Sequence, residues 1–424
     1  MAPGDSIRRR RPEDSGELEV NNKLCLVTSN LFFAEVFLAR QIRAFENFYE
    51  LSVVVNATPT EYRQAIGGEA KFFNFSLERK ISPWRDLIAL VRLVRHFRKE
   101  RYHIVHSTTP KAGLLAMLAA FLARTPVRVH TFTGQVWQTR SGAMRWLLKA
   151  TDKLTARCAT TVLVDGTNQL EFLLLHKVVS PSKARVLGNG SICGVDTNRF
   201  GPSDAFKAEV RREFKVPIGD VLIVYMARLT VDKGALVMAK AFEALCASGT
   251  RNVHLLMIGP DEEDITPEIE RTVGSYRSRL ILLGYTREPQ RYIAAADVFC
   301  LPSYREGFPM VLLNAAACAV PAIASRIHGS TDALVDGVTG LLHEAGDHMA
   351  LMAHLVRLAN DVDLRRQLGD TARARVVELF SEAVVSRELA TLYENLLERS
   401  DPPRRVEPNA AAHKTSSTSD TPSP

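Results

Sequence analysis

Residues 221–234 read Val-Leu-Ile-Val-Tyr-Met-Ala-Arg-Leu-Thr-Val-Asp-Lys-Gly. The run up to Ala227 has the near-continuous hydrophobicity of a strand buried on both faces. A short loop follows with Arg228 and Lys233, and a helical stretch begins around Gly234. Strand, loop and helix in that order form the repeating unit of a parallel α/β sheet, in which ligands bind at the carboxyl ends of the strands. Two cations on such a loop, beside a helix N-terminus, suit a diphosphate. Each of them near 4 Å from a phosphate oxygen contributes about 4 kcal/mol at an effective dielectric of about 20, before desolvation. Taken alone, the same pair is also what an ordinary charged surface loop carries.

Residues 301–321 repeat the unit: Leu-Pro-Ser-Tyr-Arg-Glu-Gly-Phe-Pro-Met-Val-Leu-Leu-Asn-Ala-Ala-Ala-Cys-Ala-Val-Pro. A strand enters, Glu306 and Gly307 occupy the loop, Pro309 opens a helix, and Asn314 falls on its second turn. Glu306 then stands at a strand's carboxyl end, aimed into the same crevice as Arg228 and Lys233. The free backbone N–H groups of Phe308, Met310 and Val311 face it too and add positive potential. Alone, Glu306 reads equally well as a complement to the helix dipole.

Working outward, strand-like runs recur with helical stretches between them. The first half has them at 23–28, 51–55, 103–106, 127–131 and 161–165; the second at 221–227, 253–258, 279–283, 297–301 and 321–324. The alternation predicts an α/β chain of two doubly wound, Rossmann-like domains, 23–200 and 204–398, joined by the Gly/Asn/Asp/Pro-rich stretch 188–203. The final helices, within 370–398, are assigned to the second domain. In the helix that Pro83 opens, Trp84, Leu87, Ile88, Val91 and Val94 form an apolar stripe that is expected to pack on a sheet. Residues 1–22 and 401–424 read as disordered tails: Arg8 to Arg11 are followed by acidic residues, not by the apolar stretch of a signal.

Hydrophobic residues make up 46% and charged residues 24% of the 424, which excludes a fibrous or wholly disordered chain. The longest nearly apolar run, 112–123, is far short of the roughly 20 residues a spanning helix needs. Six scattered cysteines without metal-ligand spacing suit a reducing compartment. Charge is uneven: residues 1–200 hold 29 Lys and Arg against 17 Asp and Glu, whereas the remainder holds 25 against 30. A basic first half suits an anionic membrane surface or a polyphosphate substrate. No nucleic-acid-binding motif is present, and no nucleic-acid partner is expected.

Together, and some eighty residues apart in this order, the two motifs resemble the donor site of retaining glycosyltransferases of family 4, which have the GT-B fold: two Rossmann-like domains facing a deep cleft. The resemblance extends over residues 23–398 and includes Gly329 with Asp332, Asp336-Gly337 and Thr339-Gly340. It implies that Arg228 and Lys233 bind the donor diphosphate, that Glu306 contacts hydroxyls of the transferred sugar, and that the residue eight positions later contacts the ribose. That residue is usually Glu and is Asn314 here. The nucleotide-sugar contacts so implied are Asn314, Gly307, Phe308, Pro309, Met310, Val311, Tyr285 and Thr133.

The segments 106–111 and 130–137 resemble the acceptor side of members that extend sugars on polyprenyl-diphosphate lipids. They place His130 or Thr133 near the transferred sugar. The family's Gly-rich turn after the first strand is replaced by Thr28-Ser29-Asn30. The implied reaction is metal-independent, retaining transfer from a nucleoside-diphosphate sugar, UDP-linked, to a lipid-linked glycan in polysaccharide synthesis. It needs no cofactor and takes place in the cytoplasm, on the inner face of the cytoplasmic membrane. A sugar-nucleotide epimerase and a non-catalytic sugar-nucleotide-binding protein are the rival readings. Two lures are set aside: Gly188, Gly190 and Gly194 lack the helix of a dinucleotide fingerprint, and Asp361-Val362-Asp363 falls between C-terminal helices, far from both motifs.

Overall fold

The computed structural model describes residues 22–75, 82–250 and 252–400. The expected tails fall outside them, apart from Asn22. Two parallel sheets organise the described residues. In the first, β1 (Lys23–Val27), β2 (Glu50–Val55), β3 (Lys71–Asn74), β4 (Ile104–Thr108), β5 (Val127–Phe132), β6 (Thr161–Val164) and β7 (Ala184–Val186) take the order β3-β2-β1-β4-β5-β6-β7. In the second, β8 (Val221–Met226), β9 (Val253–Ile258), β10 (Leu280–Leu283), β11 (Val298–Leu301), β12 (Ala322–Ser325) and β13 (Gly340–His343) take the order β10-β9-β8-β11-β12-β13. Their central strands are buried on both faces, as β8 illustrates with Leu222, Ile223, Val224 and Tyr225 all at 0% exposure.

Strand order reverses once in each sheet, between β1 and β4 and between β8 and β11. At such a switch point the connecting helices leave on opposite faces and open a crevice beyond the carboxyl ends of the strands. The loop after β8 carries Arg228 and Lys233; the loop after β11 carries Glu306 and Gly307. The two stretches that dictated the fold therefore flank one crevice.

All ten expected strands are present within two residues of their expected limits. β3, β7 and β13 were not expected, and each is a short edge strand. Two packing expectations are corrected. In the helix Pro83–Glu100 the buried residues are Ala89, Leu93 and Phe97; of the expected stripe only Val94 packs against that core, whereas Trp84, Leu87, Ile88 and Val91 are exposed. The last helix, Glu382–Ser400, sets Leu389, Leu392 and Tyr393 into the core of the first sheet, not the second. The chain thus crosses between domains twice. Both crossings are stitched together: Val195 N–H donates to Phe380 O (2.8 Å) and Glu382 N–H to Val195 O (2.9 Å). Arg40 of the first domain pairs with both crossings, through Asp196 at 2.9 Å and Glu382 at 3.0 Å.

Candidate active site

Lys233 and Glu306 meet across the switch point of the second sheet. Lys233 Nζ lies 2.8 Å from Glu306 Oε2, with both side chains mostly enclosed (16% and 13% exposed). Ser303 Oγ donates to Glu306 Oε1 at 2.8 Å, so both carboxylate oxygens are engaged. The β8 loop is held from beneath by Tyr225, whose hydroxyl donates to Arg228 O (3.1 Å) and Lys233 O (3.2 Å). At Gly234 (φ +71°) a Cβ would lie 1.9 Å from Pro302 O, so only glycine lets the two loops touch. Arg228 stands on the same loop but is half exposed, and its Nη1 pairs with Glu262 Oε2 at 2.6 Å. Glu262 had not been singled out in the sequence.

The Glu306–Gly307 loop also meets the first domain. A Cβ on Gly307 would lie 2.3 Å from Thr133 O and 3.1 Å from Asp165 Oδ2. Thr133 follows β5, so the carboxyl-end loops of the two sheets touch at this point. Pro309 precedes the helix Met310–Ala317; Phe308 and Pro309 are buried, and Met310, Val311 and Asn314 are half-buried. Ser191, on the interdomain connection, donates to Met310 Sδ at 3.0 Å. Tyr285 is exposed and meets Phe32 of the opposite domain in a T-shaped contact, 6.3 Å between centroids.

Two family descriptions match the halves that meet here: "Glycosyl transferase 4-like domain" over residues 34–190 and "Glycosyl transferases group 1" over 220–361. The capsular polysaccharide biosynthesis glycosyltransferase CapM of Staphylococcus aureus is 31% identical over 326 residues, 77% of this chain and 85% of that protein. The chain is a family-4 glycosyltransferase. An Escherichia coli UDP-Gal:α-D-GlcNAc-diphosphoundecaprenol α-1,3-galactosyltransferase is 28% identical, covering 73% of this chain and 80% of its own. Anabaena HepE, solved with UDP and glucose, superposes with a TM-score of 0.73 at 17% identity over 88% of this chain and 99% of its own. WaaG, a glycosyltransferase involved in lipopolysaccharide biosynthesis, gives 0.66 at 14% identity over 86% and 98%. The α/β fold of this glycosyltransferase is GT-B.

The remaining candidates divide. Thr133 reaches the contact between the domains; His130 does not. The His130 ring is 1% exposed, its Nδ1 is 2.9 Å from Ser107 Oγ, and it packs against the helix Pro110–Leu122 where a Cβ on Gly113 would lie 2.2 Å from its Cε1. Burial, with His106 nearby, pushes its pKa down to about 3, so the ring is neutral. In the Thr28-Ser29-Asn30 turn, the Asn30 side chain caps the next helix by accepting from Phe33 N–H at 2.8 Å. Asp361 likewise caps Val362–Leu379.

Sequence analysis singled out Asp332 only through the family resemblance and missed its partner Asp165, with which it forms an acidic pair at the domain seam. Asp332 Oδ1 accepts from the backbone N–H (3.0 Å) and the amide (2.8 Å) of Asn168, so the second domain caps a first-domain helix, Thr167–Leu175. Asp165 is buried beside it. Burial, reinforced by the Asp332 charge, holds the Asp165 pKa well above the usual carboxylate range, and burial also raises that of Asp332. Nothing local marks Asp165 or the seam contact of Asp332, because the groups they meet lie in the other domain.

Proposed function

We propose that this glycosyltransferase moves a sugar from a nucleoside-diphosphate sugar, UDP-linked, to a hydroxyl of a polyprenyl-diphosphate-linked glycan in surface polysaccharide assembly. Transfer retains the anomeric configuration and uses no metal. The observation that carries this reading is the Lys233–Glu306 pair, enclosed at a switch point and facing the Thr133 loop of the other domain.

Lys233 and Arg228 receive the diphosphate, aided by the N-terminus of the helix Met310–Ala317 with the backbone from Gly307 through Phe308 and Pro309 to Val311. Glu306, freed from Lys233, accepts hydrogen bonds from the transferred sugar. Asn314 bonds the ribose, and Tyr285 and Thr133 border the nucleotide sugar. The bond from the anomeric carbon to phosphate breaks, its electron pair going to the departing phosphate oxygen. The acceptor oxygen bonds that carbon on the same face and gives its proton to the same phosphate oxygen. The two cations stabilise the growing charge, and domain closure brings the reactants together. His130 supports the β4 and β5 loops from behind.

The names of two relatives support the substrate classes: one is a capsular polysaccharide enzyme, the other joins galactose from UDP-Gal to a diphosphoundecaprenol-linked sugar. A lipid-linked acceptor places the enzyme on the inner face of the cytoplasmic membrane, where a basic first half is drawn to anionic lipid. Among the described residues no helix is long and apolar enough to cross a membrane. The test is a thermal-shift screen of nucleotide sugars, followed by transfer to GlcNAc-diphosphoundecaprenol with and without EDTA. The expected product keeps the donor's anomeric configuration, and its rate is unaffected by EDTA. Sugar inversion without an acceptor, or donor binding without nucleotide release, overturns the reading.

A further inference from the structure

The helices Pro83–Glu100, Pro110–Leu122 and Gly142–Cys158 lie side by side on one face of the first sheet. A helix that follows a parallel strand begins at that strand's carboxyl end, so all three start at the rim of the cleft. Lys111 Nζ and Asp86 Oδ1, 2.7 Å apart, tie two of these beginnings together.

Large apolar side chains are exposed there. Trp84 and Trp146 are each 73% exposed, with Leu87, Ile88 and Val91 beside the first and Met144 and Leu147 beside the second. Every residue from 141 to 147 is exposed, and in these first turns of Gly142–Cys158 Arg145 reaches back over the Trp137 ring (5.9 Å to its centroid) while Met144, Trp146 and Leu147 stay open to solvent. The sheet is already satisfied by the opposite stripe of Pro83–Glu100, Ala89, Leu93 and Phe97. A surface helix needs one apolar face, and this one has two.

Charge selects the occupant. Pro83–Glu100 carries five basic and two acidic residues, and Gly142–Cys158 four basic and one acidic. One of the three acids, Asp86, is paired with Lys111; another, Asp152, is buried and accepts from Trp137 Nε1 at 2.8 Å. Arg92, Arg95, Lys99, Arg145, Lys149 and Lys153 therefore give the two helices that carry the apolar residues a net positive charge. Tryptophan and leucine flanked by lysine and arginine match the interface of an anionic bilayer: rings and chains enter the acyl boundary while cations stay among the headgroups.

We propose that the first turns of Pro83–Glu100 and Gly142–Cys158 dock on an anionic lipid bilayer, holding the cleft mouth at the membrane surface. This rests on the proposed lipid-linked acceptor and names the surface that reaches it. Attachment is by insertion as well as by charge, so salt weakens it without abolishing it.

The test uses the full chain with vesicles of equal parts phosphatidylethanolamine and phosphatidylglycerol. Wild type should co-sediment, with a blue shift in tryptophan emission. The double variant Trp84→Ser/Trp146→Ser should lose about tenfold or more in partitioning while keeping its melting temperature and its transfer to a short-tailed, water-soluble acceptor. Equal partitioning of the two forms overturns the proposal. So does a double variant that changes oligomeric state with no change in vesicle binding, because the patch is then a protein interface. Absence of transfer by either form counts against the proposed function and leaves the partitioning result to judge the surface.

Discussion

Lys233 and Glu306 neutralise each other at 2.8 Å inside the cleft, and the donor must separate them if it is to use both. Ser303 also holds the carboxylate, a second anchor that would keep Glu306 in place if the ammonium turned to phosphate as proposed. Arg228 is held in the same way by Glu262 at 2.6 Å. Both cations thus have carboxylate partners, which the diphosphate of the proposed donor has to outcompete. Lys233→Met and Arg228→Ala should each lower kcat/KM by roughly tenfold to thousandfold, the scale of losing one transition-state donor. The Lys233 variant should also melt lower, because it leaves Glu306 enclosed without its counter-charge. Steady-state kinetics and thermal melts of both variants check this. Near wild-type turnover in both would remove the assigned roles.

Gly307 sets how closely the domains approach. An alanine there puts a methyl carbon 2.3 Å from Thr133 O, a backbone atom that cannot swing aside. Gly307→Ala should therefore part the β5 and β11 loops and lower kcat/KM at least about tenfold, with a stability loss of about 1–3 kcal/mol from overpacking. Gly201→Ala is the control, since its Cβ would have only ordinary contacts, 3.6 Å to Arg373 Nη1 and 3.8 Å to Thr197 O. Activity of the two variants side by side decides it.

The buried strands were legible because a parallel sheet writes itself as uninterrupted hydrophobicity; β8 is the clearest case. The edge strands β3, β7 and β13 were not, since Lys71–Asn74 is exposed or half-buried and Ala184–Val186 is only three residues long. In Pro83–Glu100 the larger apolar stripe was assigned to the sheet, yet the sheet takes Ala89, Leu93 and Phe97. Periodicity shows that a helix has an apolar face, not which neighbour covers it. Lys233 and Glu306 could be placed because strand ends locate ligands. Glu262 as the partner of Arg228, and Asp332 as the cap on Asn168 from 164 residues away, depend on loop conformation and domain packing that no local pattern encodes.

His130 and His106 should make stability pH-dependent in a definite direction. Burial pushes them down to about 3 and about 4, from an ordinary value of 6.5. Below pH 6.5 the unfolded chain takes up protons that the folded chain refuses. Their stabilisation is therefore full above that value and is lost as pH falls toward the folded pKa values. At pH 5 the loss is about 2 kcal/mol for each ring. Asp152, which burial pushes up to about 7, titrates with the opposite sign over part of this range. The measurement is accordingly a difference: urea unfolding of wild type and His130→Gln at pH 7.5 and pH 5, with the variant losing less. Equal losses in the two proteins would show that His130 is protonated in the folded state.

Tyr393 fastens the last helix to the first sheet through a histidine. Its hydroxyl lies 2.5 Å from His106 Nδ1, and His106 Nε2 is 2.7 Å from Thr131 Oγ1, all within the buried core. With the ring neutral, one nitrogen donates and the other accepts, so both partners are needed. Tyr393→Phe keeps the aromatic packing against Phe45 and Tyr49 but strands a ring nitrogen away from water. It should cost about 1–3 kcal/mol, the penalty for an unpaired buried polar group. His106→Phe in the same chain removes the stranded nitrogen as well as its partner, so the double variant should recover part of the loss; stabilities of the two singles and the double give the coupling. Because Glu382–Ser400 crosses from the second domain to the first, protease nicking near residues 380–382 should rise in Tyr393→Phe and subside in the double variant. A single variant as stable and as protease-resistant as wild type would mean that apolar contacts alone hold this helix in place.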